Sequence, residues 1–159
     1  MAMRLAAAAA FASGLPDVVV GTKWGNKTWM VGERGFAWQR PLTKADLVRF
    51  GNETPPAGDI FAVRVESLDA KDALLAMGLP GFFTIPHFNG YAAVLIALQA
   101  ARAKDVRAAI TDAWRVMAKL KPSRSAARSR ARATRPGSGA SRGRAGSSKP
   151  SRNRSRTAP

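Results

Sequence analysis

Apolar and polar positions along the first 120 residues follow two different periods, which together predict a fold with both helices and strands. Apolar side chains recur every three or four residues over 104–120, which predicts an amphipathic helix. The alanine-rich stretch 4–13 predicts a second helix, because alanine is the strongest helix former. The short apolar run over 60–65 instead predicts a strand, with one face formed by Phe61, Val63 and Val65 and the other by Ile60, Ala62 and Arg64.

Weaker patterns complete the outline of the folded part. β-Branched and aromatic residues favour extended chain over 18–31, 36–39, 82–85 and 94–98. A capping-box pattern at Thr43 and Asp46 predicts a short helix to residue 50, and another helix is predicted over 68–77. We therefore expect an α+β fold of two layers, in which an antiparallel sheet packs one face on the terminal helices.

Composition excludes several kinds of chemistry. The chain has no cysteine and a single histidine, His87, so it contains no disulfide, no thiol nucleophile and no thiolate metal site. The carboxylates show no spacing typical of a metal or acid–base site, and the glycines form no phosphate-binding loop. Because His87 also lacks a nearby metal ligand or a nucleophile to activate, we expect no enzymatic activity, no cofactor and no metal.

The N-terminal apolar run has the outline of a signal peptide, but its alanine content favours a helix of the folded domain. No uninterrupted apolar stretch approaches the about 18 residues that a membrane-spanning helix needs. We therefore expect a cytoplasmic protein, associated with the nucleoid if it binds DNA.

Charge divides the chain into two parts. The sequence has 26 Lys and Arg against 10 Asp and Glu, and twelve of the basic residues but no acidic one lie in 121–159. The first 120 residues therefore have a net charge of only +4. Because 121–159 also lacks aromatic and large aliphatic residues, we expect a disordered tail that binds polyanions through phosphates. Its candidate contacts are Arg124, Arg128, Arg130, Arg132, Arg135, Arg142, Arg144, Lys149, Arg152, Arg154 and Arg156.

Aromatic and basic residues alternate along the first predicted hairpin. This is the pattern of a surface that stacks bases and holds phosphates, although large rings in a sheet also commonly fill the core. The spacing predicts that Trp29 points inward, that Phe36 and Trp38 share an inward face, and that Trp24 is exposed. The predicted nucleic-acid contacts of the hairpin are Lys23, Trp24, Lys27, Arg34 and Arg40.

An ordered set of motifs between residues 15 and 120 resembles the MmcQ/YjbR family of small proteins. The motifs are Leu15-Pro16-Asp17, Gly21–Gly25 with Thr28–Val31, Phe36-Ala37, Phe82–Tyr91 with Val94–Ile96, and Ala113-Trp114. Where the family commonly has proline after the Gly-Tyr pair, this chain has Ala92. The resemblance implies a CyaY-like fold, also described as a double wing, and a DNA-binding function that is attached to the family by fold analogy.

Two functional hypotheses follow from these observations. In the first, a folded domain over 1–120 serves as a platform, and the tail over 121–159 gives a monomeric, non-enzymatic protein sequence-independent affinity for nucleic acid, with DNA the expected partner. In the alternative, the domain binds a small ligand or a protein, and the tail only localises it to polyanions. The ligand pocket would lie where the turn after residue 86 meets the first hairpin, near His87, Asn89 and Tyr91.

Overall fold

A computed structural model describes residues 1–120, and the predicted disordered tail, with all its candidate contacts, lies outside the described residues. The helices are α1 (Leu5–Ser13), α2 (Lys44–Phe50), α3 (Leu68–Ala76) and α4 (Ala103–Leu120). The strands are β1 (Val18–Lys23), β2 (Asn26–Val31), β3 (Arg34–Gln39), β4 (Ile60–Arg64), β5 (Phe82–Phe83) and β6 (Ala93–Ala97), and a single 3-10 turn covers Pro86–Phe88. The predicted α+β class is confirmed.

The strands form one antiparallel sheet in the order β1-β2-β3-β4-β6-β5. One face of this sheet packs against α1 and α4, as expected for the terminal helices. Trp29 and Phe61 meet there with their ring centroids 5.1 Å apart, and Ile110 of α4 is fully buried beside them. Most of the buried apolar side chains lie on this face, so it forms the main hydrophobic core. Burying each large apolar side chain contributes about 1.5–3 kcal/mol to stability.

The opposite face of the central strands is also covered, by a smaller cluster that the sequence patterns did not indicate. Ile60, Ala62 and Leu95 project from β4 and β6 into this cluster. Ile85 and Phe88, from the segment after β5, pack over them. The predicted alternation along β4 is therefore confirmed, since its two faces enter two separate apolar clusters.

Strand pairing corrects the expectations for the first hairpin. The stretch 18–31 is not one extended segment, because a two-residue turn at Trp24 and Gly25 divides it into β1 and β2. The expectation that Phe36 and Trp38 share a face is wrong. The register shifts between Trp29 and Met30, which is a β-bulge, so two neighbouring residues of β3 face the main core. Trp38 therefore packs against the second cluster.

Two further elements differ in how closely they follow the sequence patterns. The predicted strand 82–85 shortens to two residues, because Ile85 turns into the second cluster and Pro86 begins the 3-10 turn. The capping box of α2 is confirmed: the Thr43 hydroxyl accepts from the Asp46 N–H at 3.2 Å, and the Asp46 carboxylate accepts from the Thr43 N–H at 2.9 Å.

Candidate nucleic-acid interface

The turn between β1 and β2 presents a tryptophan to solvent in a strained conformation. Trp24 and Gly25 both have positive φ, at 48° and 77°, as the tight turn between the paired residues Lys23 and Asn26 requires. Glycine or asparagine normally occupies such positions, and a left-handed backbone at a bulky residue costs about 1–3 kcal/mol. The Trp24 side chain nevertheless remains 89% exposed. Strained positions cluster at functional sites, so this exposed ring is a candidate for contact with a partner.

A small cleft of about 160 Å³ lies beside this turn. Three of its lining residues are aromatic and three are cationic, and none of the described residues that line it carries a carboxylate. The aromatic residues are Trp24, Trp38 and Tyr91, and the cations are Lys23, Arg34 and Arg64. Thr28, Gly35 and Met117 complete the lining. Such a cleft suits an anionic group attached to a planar ring.

Arg64 lines the cleft and has a buried donor without a partner among the described residues. Its guanidinium carbon lies 4.7 Å from the ring centroid of Tyr91. Its Nε is buried, and within residues 1–120 it is the one buried side-chain nitrogen or oxygen that has no hydrogen-bond partner. Leaving a buried donor unpaired costs about 1–3 kcal/mol, so the described residues alone do not satisfy the Arg64 guanidinium.

A buried lysine positions the turn that carries Tyr91. The Lys71 ammonium donates to the carbonyl oxygens of Phe88 at 2.6 Å and of Tyr91 at 3.0 Å. The side chain is only 5% exposed, and burial lowers the pKa of Lys71 from its ordinary value. The Phe88 and Tyr91 rings also meet edge to face at 5.7 Å. Lys71 therefore holds one wall of the cleft in place from within the fold.

The structure brings three of the five predicted hairpin contacts together at the cleft. Lys23, Trp24 and Arg34 line it, and the Lys23 ammonium also donates to the Glu33 carbonyl. Lys27 is exposed on the same hairpin, but its ammonium lies 5.7 Å from the Trp29 ring and outside the lining.

Arg40 does not belong to the predicted surface. Its guanidinium lies 3.0 Å from the Asp46 carboxylate, and its side chain is only 12% exposed. It also donates to the Pro41 carbonyl and lies 5.7 Å from the Phe88 ring. The structure therefore places Arg40 in a buried ion pair at the start of α2, where it stabilises the fold.

The structure brings only part of the predicted ligand pocket to the cleft. Tyr91 lines the cleft together with Trp24, as the meeting of turn and hairpin suggested, whereas His87 and Asn89 are exposed and lie outside the lining. Sequence reasoning missed Arg64 and Trp38. The one available signal was a charged residue inside the apolar strand 60–65, since a buried cation needs either a partner or a ligand.

The end of α4 lies close to the cleft. Met117 is part of the lining, and Leu120 ends the helix three residues later, which corresponds to about 5 Å along the axis. The described part of α4 therefore ends near the cations and aromatic rings of the cleft.

A larger cleft of about 560 Å³ lies between α3, β4 and α4. Its lining carries as many carboxylates as cations: Glu66, Asp105 and Asp112 against Arg64, Arg115 and Lys119. Asp112 is already 3.3 Å from Arg115, and Asp105 is 2.6 Å from Arg102 outside the lining. This balance gives the larger cleft no preference for a polyanion.

Residues 1–120 contain no group of three His, Cys, Asp or Glu side chains that could hold a metal ion. Within the same part of the chain, no helix combines the length and the apolar character needed to cross a membrane.

Comparison with known proteins finds relatives in mycobacteria. Over 93 residues the chain is 46% identical to uncharacterized protein Rv2570 of Mycobacterium tuberculosis and to uncharacterized protein Mb2600 of Mycobacterium bovis. Each match covers 57% of this chain and 71% of the relative. No protein-family model matches the chain. No solved structure matches it either.

Proposed function

The chain belongs to the same family as these mycobacterial proteins, and we propose that it is a non-enzymatic, cytoplasmic protein that associates with nucleic acid, with DNA as the expected partner. The folded domain and the basic tail would act together on one strand or duplex. Contact would be mainly through phosphates, and would therefore depend little on base sequence.

The observation that carries this proposal is the cleft beside the first hairpin. It combines Lys23, Arg34 and Arg64 with three aromatic rings and has no lining carboxylate among the described residues. Phosphate attracts the cations, and unpaired bases stack on exposed rings such as that of Trp24. The sequence motifs that resemble the MmcQ/YjbR family support the same class of partner.

The tail supplies the second support for the proposal. Ten of its twelve basic residues are arginine, whose planar fork binds phosphate oxygens in pairs. If the tail neutralises about 6–10 phosphates, affinity falls by about 10³–10⁵ between 50 and 200 mM salt. Electrostatic binding of this kind can anchor the protein while the cleft makes the closer contacts.

The test compares the full chain with a version that ends at Pro122, using a labelled DNA duplex and a labelled single strand over a salt series. Circular dichroism and thermal unfolding establish that the shorter version is folded. We expect tight, strongly salt-dependent binding by the full chain and much weaker binding by the shorter version. Absence of binding by the full chain at low salt would overturn the proposal.

The larger cleft favours a second candidate function, in which the domain binds a small ligand or a protein and the tail only localises it. Its volume of about 560 Å³ lies within the range of about 300–1,000 Å³ that is typical of ligand sites. A folded domain that binds no DNA, but whose melting temperature and tryptophan fluorescence respond to a metabolite, would support this candidate over the first.

A further inference from the structure

We infer that the small cleft is a subsite for one nucleotide of a single strand, in which the cations hold its phosphate and Trp24 stacks on its base. The inference rests on the proposed function, because it assumes that the partner is a nucleic acid. It adds a preference that neither the charge of the tail nor the family resemblance supplies: single strands over duplexes.

The phosphate half of the subsite follows from the unsatisfied chemistry of Arg64. Its Nε has no acceptor among the described residues, and the lining of the small cleft carries no carboxylate. Arg64 also borders the larger cleft, which carries Glu66 and in which Asp105 and Asp112 already pair with other arginines. The Tyr91 ring supports the guanidinium at 4.7 Å. A phosphate brings several oxygens that can accept from Arg64, Arg34 and Lys23 together, which a carbonyl or a hydroxyl group cannot do.

The size of the cleft determines how much of the nucleotide can enter it. At about 160 Å³ it is well below the roughly 300 Å³ at which sites for whole drug-sized ligands begin. The space therefore suits a phosphate with part of its sugar, and the base has to lie outside. The Trp24 ring is at this rim and is 89% exposed, so it is available for stacking.

The position of Trp24 explains the preference for single strands. In a duplex the bases are stacked on one another, so a ring at the rim of a cleft can reach only the backbone. In a single strand a base can turn out and stack on an aromatic side chain, as in proteins that bind single strands without reading sequence. Trp24 lies at the tip of the hairpin with a positive φ of 48°, and its ring faces solvent rather than the core.

The test measures how the full chain binds a short fluorescein-labelled oligothymidylate and a labelled duplex of the same length, by fluorescence anisotropy at low salt. The variants are Trp24→Ala, Trp24→Phe and Arg64→Gln. Arg107→Gln is the matched control, since Arg107 is exposed on α4 outside the cleft lining and its loss changes the net charge equally.

We expect Trp24→Ala to weaken single-strand binding by at least about fivefold, and Trp24→Phe to restore most of it, because bases stack on any exposed aromatic ring. Arg64→Gln should weaken single-strand binding by about tenfold or more, and Arg107→Gln by less than about twofold. Duplex binding should change little with Trp24→Ala. Because Trp24 is at an exposed turn, its variants keep the test valid even if Arg64→Gln fails to fold.

The outcomes separate this inference from the proposed function. If the full chain binds no nucleic acid, both fail. If it binds but favours the duplex, or if the Trp24 and Arg64 variants lose no more affinity than Arg107→Gln, the proposed function stands and the nucleotide subsite is refuted.

Discussion

Two arginines contact the same aromatic cluster, but only one of them has a carboxylate partner among residues 1–120. Arg40 lies 5.7 Å from the Phe88 ring and Arg64 lies 4.7 Å from the Tyr91 ring, and these two rings touch each other. Arg40 has the buried carboxylate of Asp46 at 3.0 Å, whereas Arg64 keeps a buried Nε without a partner. The comparison teaches that the Asp46 carboxylate gives Arg40 a stabilising role within the fold. Without such a carboxylate among the described residues, Arg64 can bind an external anion.

The largest effect is expected on the Arg40 side, from Asp46→Ala. This change leaves the Arg40 guanidinium buried without a counterion and removes the capping box of α2. Losing one partner of a buried ion pair costs about 3–5 kcal/mol of unfolding free energy, which urea denaturation measures. Asp112→Asn is the control, because it breaks an exposed pair and should cost less than about 1 kcal/mol. Equal losses in the two variants would contradict the structural role of the Arg40 pair.

A smaller loss is expected from Lys71→Met, which removes the donors to the Phe88 and Tyr91 carbonyls. Unpaired buried acceptors should reduce the unfolding free energy by about 1–3 kcal/mol, and amide hydrogen exchange should become faster around residue 91. The same change at the exposed Lys104 should leave both measurements unaltered. If exchange around residue 91 stayed as slow as in the wild type, Lys71 would not be what holds this wall of the cleft.

The Asp46 pair also predicts how stability depends on pH. Burial alone would raise the pKa of Asp46, but hydrogen bonds from Thr43 and the charge of Arg40 outweigh burial and hold the pKa below its ordinary value. Because the folded pKa is the lower one, this stabilisation is complete above about pH 4 and is lost as the pH falls through the folded pKa. Urea denaturation from pH 6 down to pH 2 should show this decline in the wild type. A decline of the same size in Asp46→Ala would assign it to other carboxylates.

The smallest effect on stability is expected from Arg64→Gln. Among residues 1–120 this side chain forms no ion pair that could be lost, and removing the unsatisfied Nε offsets the loss of its contact with Tyr91. We expect the unfolding free energy to change by less than about 1 kcal/mol in either direction, as measured by urea denaturation. A loss as large as that of Asp46→Ala would show that Arg64 has a structural partner after all, and the contrast between the two arginines would disappear.

Local patterns predicted most of the fold because each depends on neighbouring residues. The cap at Thr43, the alternation of β4 and the amphipathic period of α4 needed no long-range information. The position of Trp38 was wrong because a bulge that depends on the pairing of β2 with β3 reverses which side it faces. The register of a strand pair depends on both strands, so neither segment alone predicts a bulge.

The candidate site was only half predictable for the same reason. Lys23 and Trp24 lie at the turn between β1 and β2, and Arg34 begins β3, so all three belong to consecutive strands that the sequence itself placed together. Arg64 lies beside them only because the sheet brings β4 close to these residues. Arg40 lies outside the cleft lining, where it forms an ion pair with Asp46, six residues away. Whether a cation is paired depends on which carboxylate the fold brings near, and the sequence alone could not decide that for either arginine.

The most direct measurement of the central claim is the salt dependence of single-strand binding by the full chain, compared between the wild type, Arg64→Gln and Arg107→Gln. If Arg64 contacts a phosphate, its loss should reduce the slope of log affinity against log salt concentration by about 0.7, the value for one phosphate of a single strand. The slope for Arg107→Gln should equal that of the wild type. Equal slopes for the wild type and Arg64→Gln would contradict the claim that the cleft holds a phosphate.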